Sequence, residues 1–302
     1  MNFYYLFIPY KMKETNKGAL YIVLSMVIFG TNGLFVKHLS QNYGISPISI
    51  VFQFFLIPAA ILSLFFLFKD RSVFKIDRVL WFILLFAVID IIHVFFYLQA
   101  FINTTISNAV LTHYTAPIFL AIFAPLIIKE NINKKIIYAL ITGTIGIFFI
   151  MYGNFSIQSQ DFIGILFGLA SGLMYAFAII IIKIISKKTS IYRMRIYHSI
   201  IGAVILIPIV ANTNLFESIK MDPIILIIFL FYSVLLGVIG ILLHWNGIKM
   251  LSSHKAGILG YVEPLFATIF AIIFLSEIPS LNTILGGLLI LFSGYLIIRR
   301  RK

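Results

Sequence analysis

Residues 79–99 read VLWFILLFAVIDIIHVFFYLQ, an apolar run of 21 residues interrupted by Asp90 and His93. A helix that crosses a membrane needs about 20 apolar residues. Nine further runs of this kind lie at 18–36, 47–68, 107–128, 136–152, 162–182, 196–212, 223–245, 256–275 and 281–298. The sequence therefore predicts an all-α polytopic membrane protein with ten transmembrane helices joined by short loops.

Composition excludes the other broad classes of protein. Of the 302 residues, 61% are hydrophobic and 11% are charged, whereas about 25% of the residues in a soluble domain are charged. With no Cys in the chain, disulfides, thiolate metal sites and Cys nucleophiles are excluded. The six His show no metal-ligand spacing, and phosphate-binding and nucleophile motifs are absent from the sequence. We therefore predict no catalytic residue, no metal and no cofactor, and expect no enzymatic activity.

The positive charges are distributed as a membrane topology requires. If the N-terminus is cytoplasmic, 21 of the 23 Lys and Arg side chains fall on the cytoplasmic side, and Lys37 and Lys220 fall outside. Cytoplasmic loops are enriched in Lys and Arg. The net charge of +13 is thus interpreted as a topology signal and not as a nucleic-acid interface. Both termini are predicted to be cytoplasmic, in a multi-pass protein of the cell membrane.

The two halves of the chain repeat each other. At an offset of 146 residues Ser25 matches Ser171, and at an offset of 147 Pro117 matches Pro264. Because each half holds five spans, an odd number, the second copy enters the membrane from the opposite side, as in many secondary transporters. The predicted organisation is a cytoplasmic N-terminal tail at 1–17, a first repeat at 18–152, a linker at 153–161, a second repeat at 162–298 and a basic cytoplasmic tail at 299–302.

Two matching patterns, Ala109…Pro117…Glu130 and Ala256…Glu263–Pro264…Glu277, resemble the signature of EamA domains. The chain is similar over 18–298 to transporters of the drug/metabolite superfamily with two tandem EamA domains. That resemblance implies a basket of two five-helix halves around a central cavity, with the fifth and tenth spans peripheral. It also implies export or import of amino acids, amines, nucleotide-related metabolites or drugs.

Asp90 and Glu263 are the acidic residues that fall well inside predicted spans. A carboxylate there costs a few kcal/mol and usually faces a cavity or a partner. His93 and Tyr97 lie on the same helical face as Asp90, and the repeat places Gly237 and Gly240 at the positions of Asp90 and His93. We expect Asp90 to bind a cationic group or a proton that His93 shares; the alternative is a hydrogen bond that only fixes helix packing.

Glu263 precedes Pro264, and Ala116 precedes the matching Pro117. Proline removes a hydrogen bond inside a helix, so both prolines are predicted to kink their spans, shape the cavity and act as hinges. Glu263 is either a substrate-binding or coupling residue or a fixed feature of the fold. Glu130 and Glu277 are interpreted as structural acids at the N-termini of spans five and ten.

Further candidate binding residues are aromatic or polar and lie near the same depth: Asn32, His113, Tyr114, Tyr175, Trp245 and Tyr261. An aromatic face attracts cations, but aromatic residues also form belts at the membrane interfaces, and the belt is the simpler interpretation for Trp245. Gly164, Gly168 and Gly172 form overlapping G-x-x-x-G motifs, for packing inside the protein or in a dimer. We interpret His198 and His254 as interfacial, and we place no Lys or Arg inside a span.

These features predict a secondary transporter that works by alternating access. The carboxylates and tyrosines, without a deep cation, favour a small amine, a quaternary ammonium or an amino-acid-like metabolite, with proton coupling through Asp90 and His93 as one mechanism. The alternatives are a broad-specificity drug or metabolite exporter of the same fold and a facilitator or exchanger without proton coupling. The expected partners are the small-molecule substrate, the lipid bilayer and, where coupling exists, protons.

Overall fold

The computed structural model describes residues 13–154, 159–213, 215, 218–219, 222–275 and 281–298. Within these ranges the regular elements are helical. They are α1 Glu14–Phe29, α2 Asn32–Tyr43, α3 Pro47–Lys69, a 3-10 turn Arg71–Phe74, α4 Val79–Asn103, α5 Ile106–His113, α6 Ala116–Ile128, α7 Lys134–Asn154, α8 Ser159–Ile185, α9 Ile191–Val210, α10 Ile224–Tyr232, a π-helical segment Ser233–Gly240, α11 Ile241–Met250, α12 Ser253–Leu259, α13 Val262–Leu275 and α14 Leu281–Ile298. Some parts of the chain for which the sequence made predictions lie outside the described residues. They are the N-terminal segment before Lys13, the residue Glu277 and the basic C-terminal tail at 299–302.

Eight helical stretches in the described part of the chain are long and apolar enough to cross a membrane. The helices α7 and α14 coincide with the two remaining predicted spans, 136–152 and 281–298. Span seven begins at Ile191, five residues before the predicted start at 196. Arg195 therefore lies inside a helix and not in a loop, and the expectation that no Lys or Arg lies inside a span is wrong.

Three of the spans are broken near their middle. The first is interrupted at Gly30–Thr31, the fourth at Tyr114–Thr115 and the ninth at Gly260–Tyr261. Broken helices at membrane depth are tolerated where they are buried in protein or line a cavity. Pro117 and Pro264 lie in the first turn of α6 and α13, directly after two of these breaks. In this first turn proline costs no hydrogen bond.

The helix contacts repeat with the symmetry of the sequence. Helix α4 of the first half packs against α8 of the second half. At the equivalent positions, α11 of the second half packs against α1 of the first half. The equivalent helices α3 and α9 pack against each other, as do α7 and α14. Each half thus places its third span against the first span of the other half. The two repeats thus form a basket, and the centre of the basket lies between the two halves.

The glycines of α8 serve packing inside the protein. A Cβ atom at Gly164 would lie 2.7 Å from the Thr104 Cβ, one at Gly172 would lie 2.6 Å from the His113 carbonyl oxygen, and one at Gly168 would overlap Thr112. The G-x-x-x-G motifs therefore bring α8 close to the first half of the same chain. The sequence allows these motifs to pack either inside the protein or in a dimer, and this contact lies inside the protein.

Polar contacts between the basic loops hold one end of the bundle together. Arg193 binds Asp77 through two N–O contacts of 3.0 and 2.9 Å. The Glu130 Oε2 accepts a 2.8 Å hydrogen bond from the Ser253 backbone N–H. Glu130 thus stabilises a helix N-terminus as expected, but that of α12 in the other half rather than that of α7. Lys183 donates to the carbonyl oxygens at the end of α11, including that of Leu251.

Candidate functional site

A small cavity of about 70 Å³ lies between the two halves. A water molecule needs roughly 10–15 Å³ of such space, so the cavity has room for a few waters. It is lined by Phe29, Asn32, Phe54, Asp90, His93, Val94, Tyr97, His113, Tyr175, Ala178, Ile182, Tyr232, Leu236, Ile241, His244, Trp245 and Glu263. The lining thus includes the two acidic residues predicted to lie inside spans, and it holds no Lys or Arg from the described residues.

Glu263 is held by two tyrosine hydroxyls. The Tyr97 hydroxyl donates to Oε1 at 2.6 Å, and the Tyr114 hydroxyl donates to Oε2 at 2.7 Å. The side chain is 3% exposed, and α13 begins one residue before it. The helix N-terminus carries partial positive charge, and both tyrosines act as donors, so the geometry fits a carboxylate. No Lys or Arg from the described ranges forms an ion pair with it.

Asp90 lies between two histidines. Its Oδ1 lies 3.0 Å from the His93 Nδ1, and its Oδ2 lies 3.0 Å from the His198 Nε2. The first partner is one turn along α4, while the second comes from α9 of the other half. His198 is fully buried, so the expectation that it is interfacial is wrong. Asp90 therefore links the halves in addition to lining the cavity.

Arg195 completes this network from behind the cavity wall. Its Nη1 lies 3.1 Å from the His198 Nδ1, and its Nε and Nη2 donate to the carbonyl oxygens of Gly237 and Phe54. An Arg side chain has no acceptor, so the Nδ1 of His198 must accept and its proton must reside on Nε2, which lies close to Asp90 without forming an aligned hydrogen bond. Arg195 is fully buried and balances the charge of Asp90 through His198.

Two further histidines are fixed by serines that the repeat relates to each other. The His113 Nδ1 lies 3.0 Å from the Ser171 hydroxyl, and the His244 Nδ1 lies 3.4 Å from the Ser25 hydroxyl. Each serine gives its own proton to the backbone carbonyl three residues earlier. The histidine Nδ1 is therefore the donor in both pairs. The Tyr175 hydroxyl lies 2.7 Å from the other ring nitrogen of His244 and donates to it.

Aromatic rings form a stack along one side of the cavity. The ring of His93 lies 5.1 Å from that of Tyr175 and 5.3 Å from that of His113, nearly parallel to both. Tyr97 stacks on His113 at 4.1 Å. Trp245 is 2% exposed and packs on His198 at 5.2 Å. Trp245 thus lies in the cavity wall, and the aromatic-belt interpretation does not describe its position.

The structure brings together eight of the ten candidate binding residues at the cavity, namely Asn32, Asp90, His93, Tyr97, His113, Tyr175, Trp245 and Glu263. Asn32 accepts a 3.0 Å hydrogen bond from Tyr232. Tyr114 reaches the site through Glu263 without lining the cavity, and Tyr261 packs against Gly143 behind it. Sequence reasoning placed Arg195 in a loop and His198 at the interface, and it therefore missed both. For Arg195 the signal was present, because a helix begun at Ile191 places it three residues from His198.

The EamA-like transporter family matches residues 16–152 and 162–299, two consecutive domains that cover most of the chain. The chain belongs to this family. An uncharacterized transporter of Archaeoglobus fulgidus is 30% identical over 93% of this chain and 95% of its own length. The pseudopaline exporter CntI of Pseudomonas aeruginosa is 22% identical over 94% of this chain and 97% of its own length.

This EamA protein also has the fold of a solved crystal structure. That chain superposes with a TM-score of 0.69 over 94% of this chain and 96% of its own length, at 15% sequence identity. With the apolar helices and the cavity between the repeats, these likenesses show a multi-pass membrane transporter. No group of three or more His, Cys, Asp or Glu in the described ranges is arranged to hold a metal ion.

Proposed function

We propose that this protein is a secondary transporter of a small organic cation or zwitterion, such as an amine, a quaternary ammonium or an amino-acid-like metabolite. The observation that carries the proposal is the balance of charge at the cavity. Asp90 is offset by the buried Arg195, whereas Glu263 has hydroxyl donors and no cationic partner among the described residues. With neutral histidines, one carboxylate therefore remains for a positively charged substrate or a proton.

Aromatic faces and the absence of Arg and Lys from the described lining support the same substrate class. The stacked rings of Tyr97, His113, His93 and Tyr175 offer π faces, and a desolvated cation over such a face gains about 2 kcal/mol. A phosphorylated substrate would require Arg or Lys at the cavity. The described lining contains neither.

Alternating access between the two halves is the proposed mechanism. The cavity has room for only a few waters, so it must widen before a metabolite can bind in it. The breaks before Pro117 and Pro264 provide positions at which the spans can bend. Proton coupling follows if a proton occupies Asp90–His93 or Glu263 whenever the substrate is absent.

Reconstitution into proteoliposomes that contain a pH-sensitive dye tests this function. We expect addition of primary and quaternary ammonium compounds or cationic amino acids to release protons from acid-loaded vesicles, and organic phosphates to have no effect. Asp90→Asn and Glu263→Gln should each lower this flux at least tenfold, while Glu14→Gln, an exposed acid in α1, should leave it unchanged.

The same assay separates the alternatives. Uptake of labelled cations without proton movement indicates a facilitator or exchanger without proton coupling. Transport of many unrelated lipophilic cations at similar low affinity indicates a broad-specificity exporter. Transport of organic anions alone would overturn the proposal.

A further inference from the structure

Four ionisable side chains form a continuous chain of contacts from α9 to the cavity. Arg195 donates to the His198 Nδ1, the His198 Nε2 faces Asp90, and Asp90 faces the His93 Nδ1. Arg195 and His198 are fully buried, and Asp90 is 6% exposed. Arg195 can only donate and an ionised carboxylate can only accept, so Arg195 fixes the protonation of His198 and Asp90 fixes that of His93.

The result is a defined protonation of the His93 ring. Because Asp90 accepts at Oδ1, the Nδ1 of His93 carries a proton. In a neutral ring the Nε2 is then a lone pair. This Nε2 is buried and has no hydrogen-bond partner in the described part of the chain. A buried polar atom without a partner costs about 1–3 kcal/mol, which a ligand that bonds to it would recover.

We propose that the His93 Nε2 is the acceptor for an N–H group of the substrate, and that Asp90 is the positioning residue that keeps this nitrogen available. The inference rests on the proposed function and narrows it. It selects ammonium and guanidinium groups, which carry N–H, over quaternary ammonium groups, which do not. The neighbouring rings of Tyr175 and His113 provide π faces for the same charge.

A substrate N–H and a proton then compete for one lone pair. A proton bound at Nε2 removes the acceptor, and departure of the cationic substrate allows a proton to replace it. One positive charge replaces another, so the charge of the cavity is unchanged over the exchange.

The titratable or charged groups that surround His93 come from six helices. They are Asp90 and Tyr97 on α4, His113 on α5, Tyr175 on α8, Arg195 and His198 on α9 through Asp90, His244 on α11 and Glu263 on α13 through Tyr97.

Two isomeric probes test the proposal. Butylammonium and tetramethylammonium have the same formula and charge, but only the first carries N–H. The chain has two Trp, of which Trp81 is 73% exposed and Trp245 is 2% exposed. In a Trp81→Phe background, Trp245 is therefore a single fluorescent reporter in the cavity wall.

We expect His93→Phe, which retains the stacked ring, to raise the Kd of butylammonium about ten- to hundredfold, the value of a hydrogen bond to a charged group. The Kd of tetramethylammonium should change less than twofold. If His93→Phe weakens both probes equally, the inference is overturned and the proposed function stands. If neither probe quenches Trp245 or drives proton flux, the proposed function itself fails.

A measurement on the unmutated protein guards against a variant that does not fold. Nitrogen-15 spectra of histidine-labelled protein in nanodiscs report which ring nitrogen is protonated. We expect the His93 Nδ1–H tautomer, and we expect butylammonium but not tetramethylammonium to shift its Nε2 resonance. Asp90→Asn, in which the amide can donate as well as accept, should produce a mixture of His93 tautomers, whereas Leu206→Ala, a buried change on α9, should not. A pure Nε2–H tautomer in the unmutated protein would overturn the inference.

Discussion

The Nε of Arg195 donates a 3.0 Å hydrogen bond to the carbonyl oxygen of Gly237, the residue that occupies in the second repeat the position of Asp90 in the first. A Cβ atom at this glycine would lie 2.9 Å from the Pro58 ring and 3.4 Å from the Arg195 guanidinium. The first repeat thus provides the carboxylate of Asp90 at this position, and the glycine at the equivalent position of the second repeat leaves room for the guanidinium of Arg195. The charged groups of the site arise where the two halves differ.

Arg195→Met should strongly destabilise the protein. Removal of one partner of a buried ionic network typically costs about 3–5 kcal/mol, because the other charge is left uncompensated. We expect a clearly lower Tm in detergent, and we expect the double variant Arg195→Met/Asp90→Asn to recover part of the loss. Strictly additive effects of the two substitutions would contradict the coupling through His198.

Gly168→Val should disrupt the contact between α8 and the first half. A Cβ at this position overlaps Thr112, so the helices must separate. We expect a loss of correctly folded protein in size-exclusion chromatography. Leu166→Val, a change on the same helix at a side chain that is 50% exposed, is the matched control. A folded and active Gly168→Val protein would contradict the close internal packing.

Cysteine labelling should show that the basic loops lie on the cytoplasmic side. The chain has no Cys, so Lys187→Cys and Asn42→Cys, both at exposed positions, each give one reactive thiol. A membrane-impermeant maleimide added to intact cells should label Asn42→Cys, and Lys187→Cys only after lysis. The reverse pattern would invert the predicted topology.

The loop 71–78 should loosen at low pH. A hydrogen bond from Arg193, followed by one from the Val79 backbone N–H, holds the pKa of Asp77 below its usual value. Because the folded pKa is lowered, this contact stabilises the loop above the ordinary Asp pKa of about 4 and is lost as the pH falls through the lowered value. Amide hydrogen exchange in 71–78 should be slower than in Asp77→Asn at pH 7, and the two should converge in acid. A constant ratio would contradict this contact.

The apolar runs predicted the helices well because the membrane imposes a single requirement on every span, a sufficient length of apolar residues. The site residues inside spans, Asp90 and Glu263, were equally visible because an intramembrane charge is rare. The breaks in the spans were less accessible, since Gly30–Thr31 and Tyr114–Thr115 carry no pattern that distinguishes them from continuous helix.

The cationic side of the site was missed for a different reason. Arg195 follows a cluster of basic residues, so the positive-inside rule assigns it to a loop. Its burial depends on contacts with Phe54 and Gly237, which are far away in the sequence. The partners of Glu263 were candidates individually, but only the packing of α4, α5 and α13 shows that Tyr97 and Tyr114 donate to the same carboxylate.

The two serines that the repeat relates to each other limit the movement of protons away from the cavity. Ser25 and Ser171 each commit their own proton to a backbone carbonyl, and an amide oxygen is far too weak a base to pass a proton onward. A proton wire that starts in the cavity and runs through His113 or His244 therefore reaches a dead end at these hydroxyls. These two routes for proton transfer therefore end at equivalent points of the two repeats.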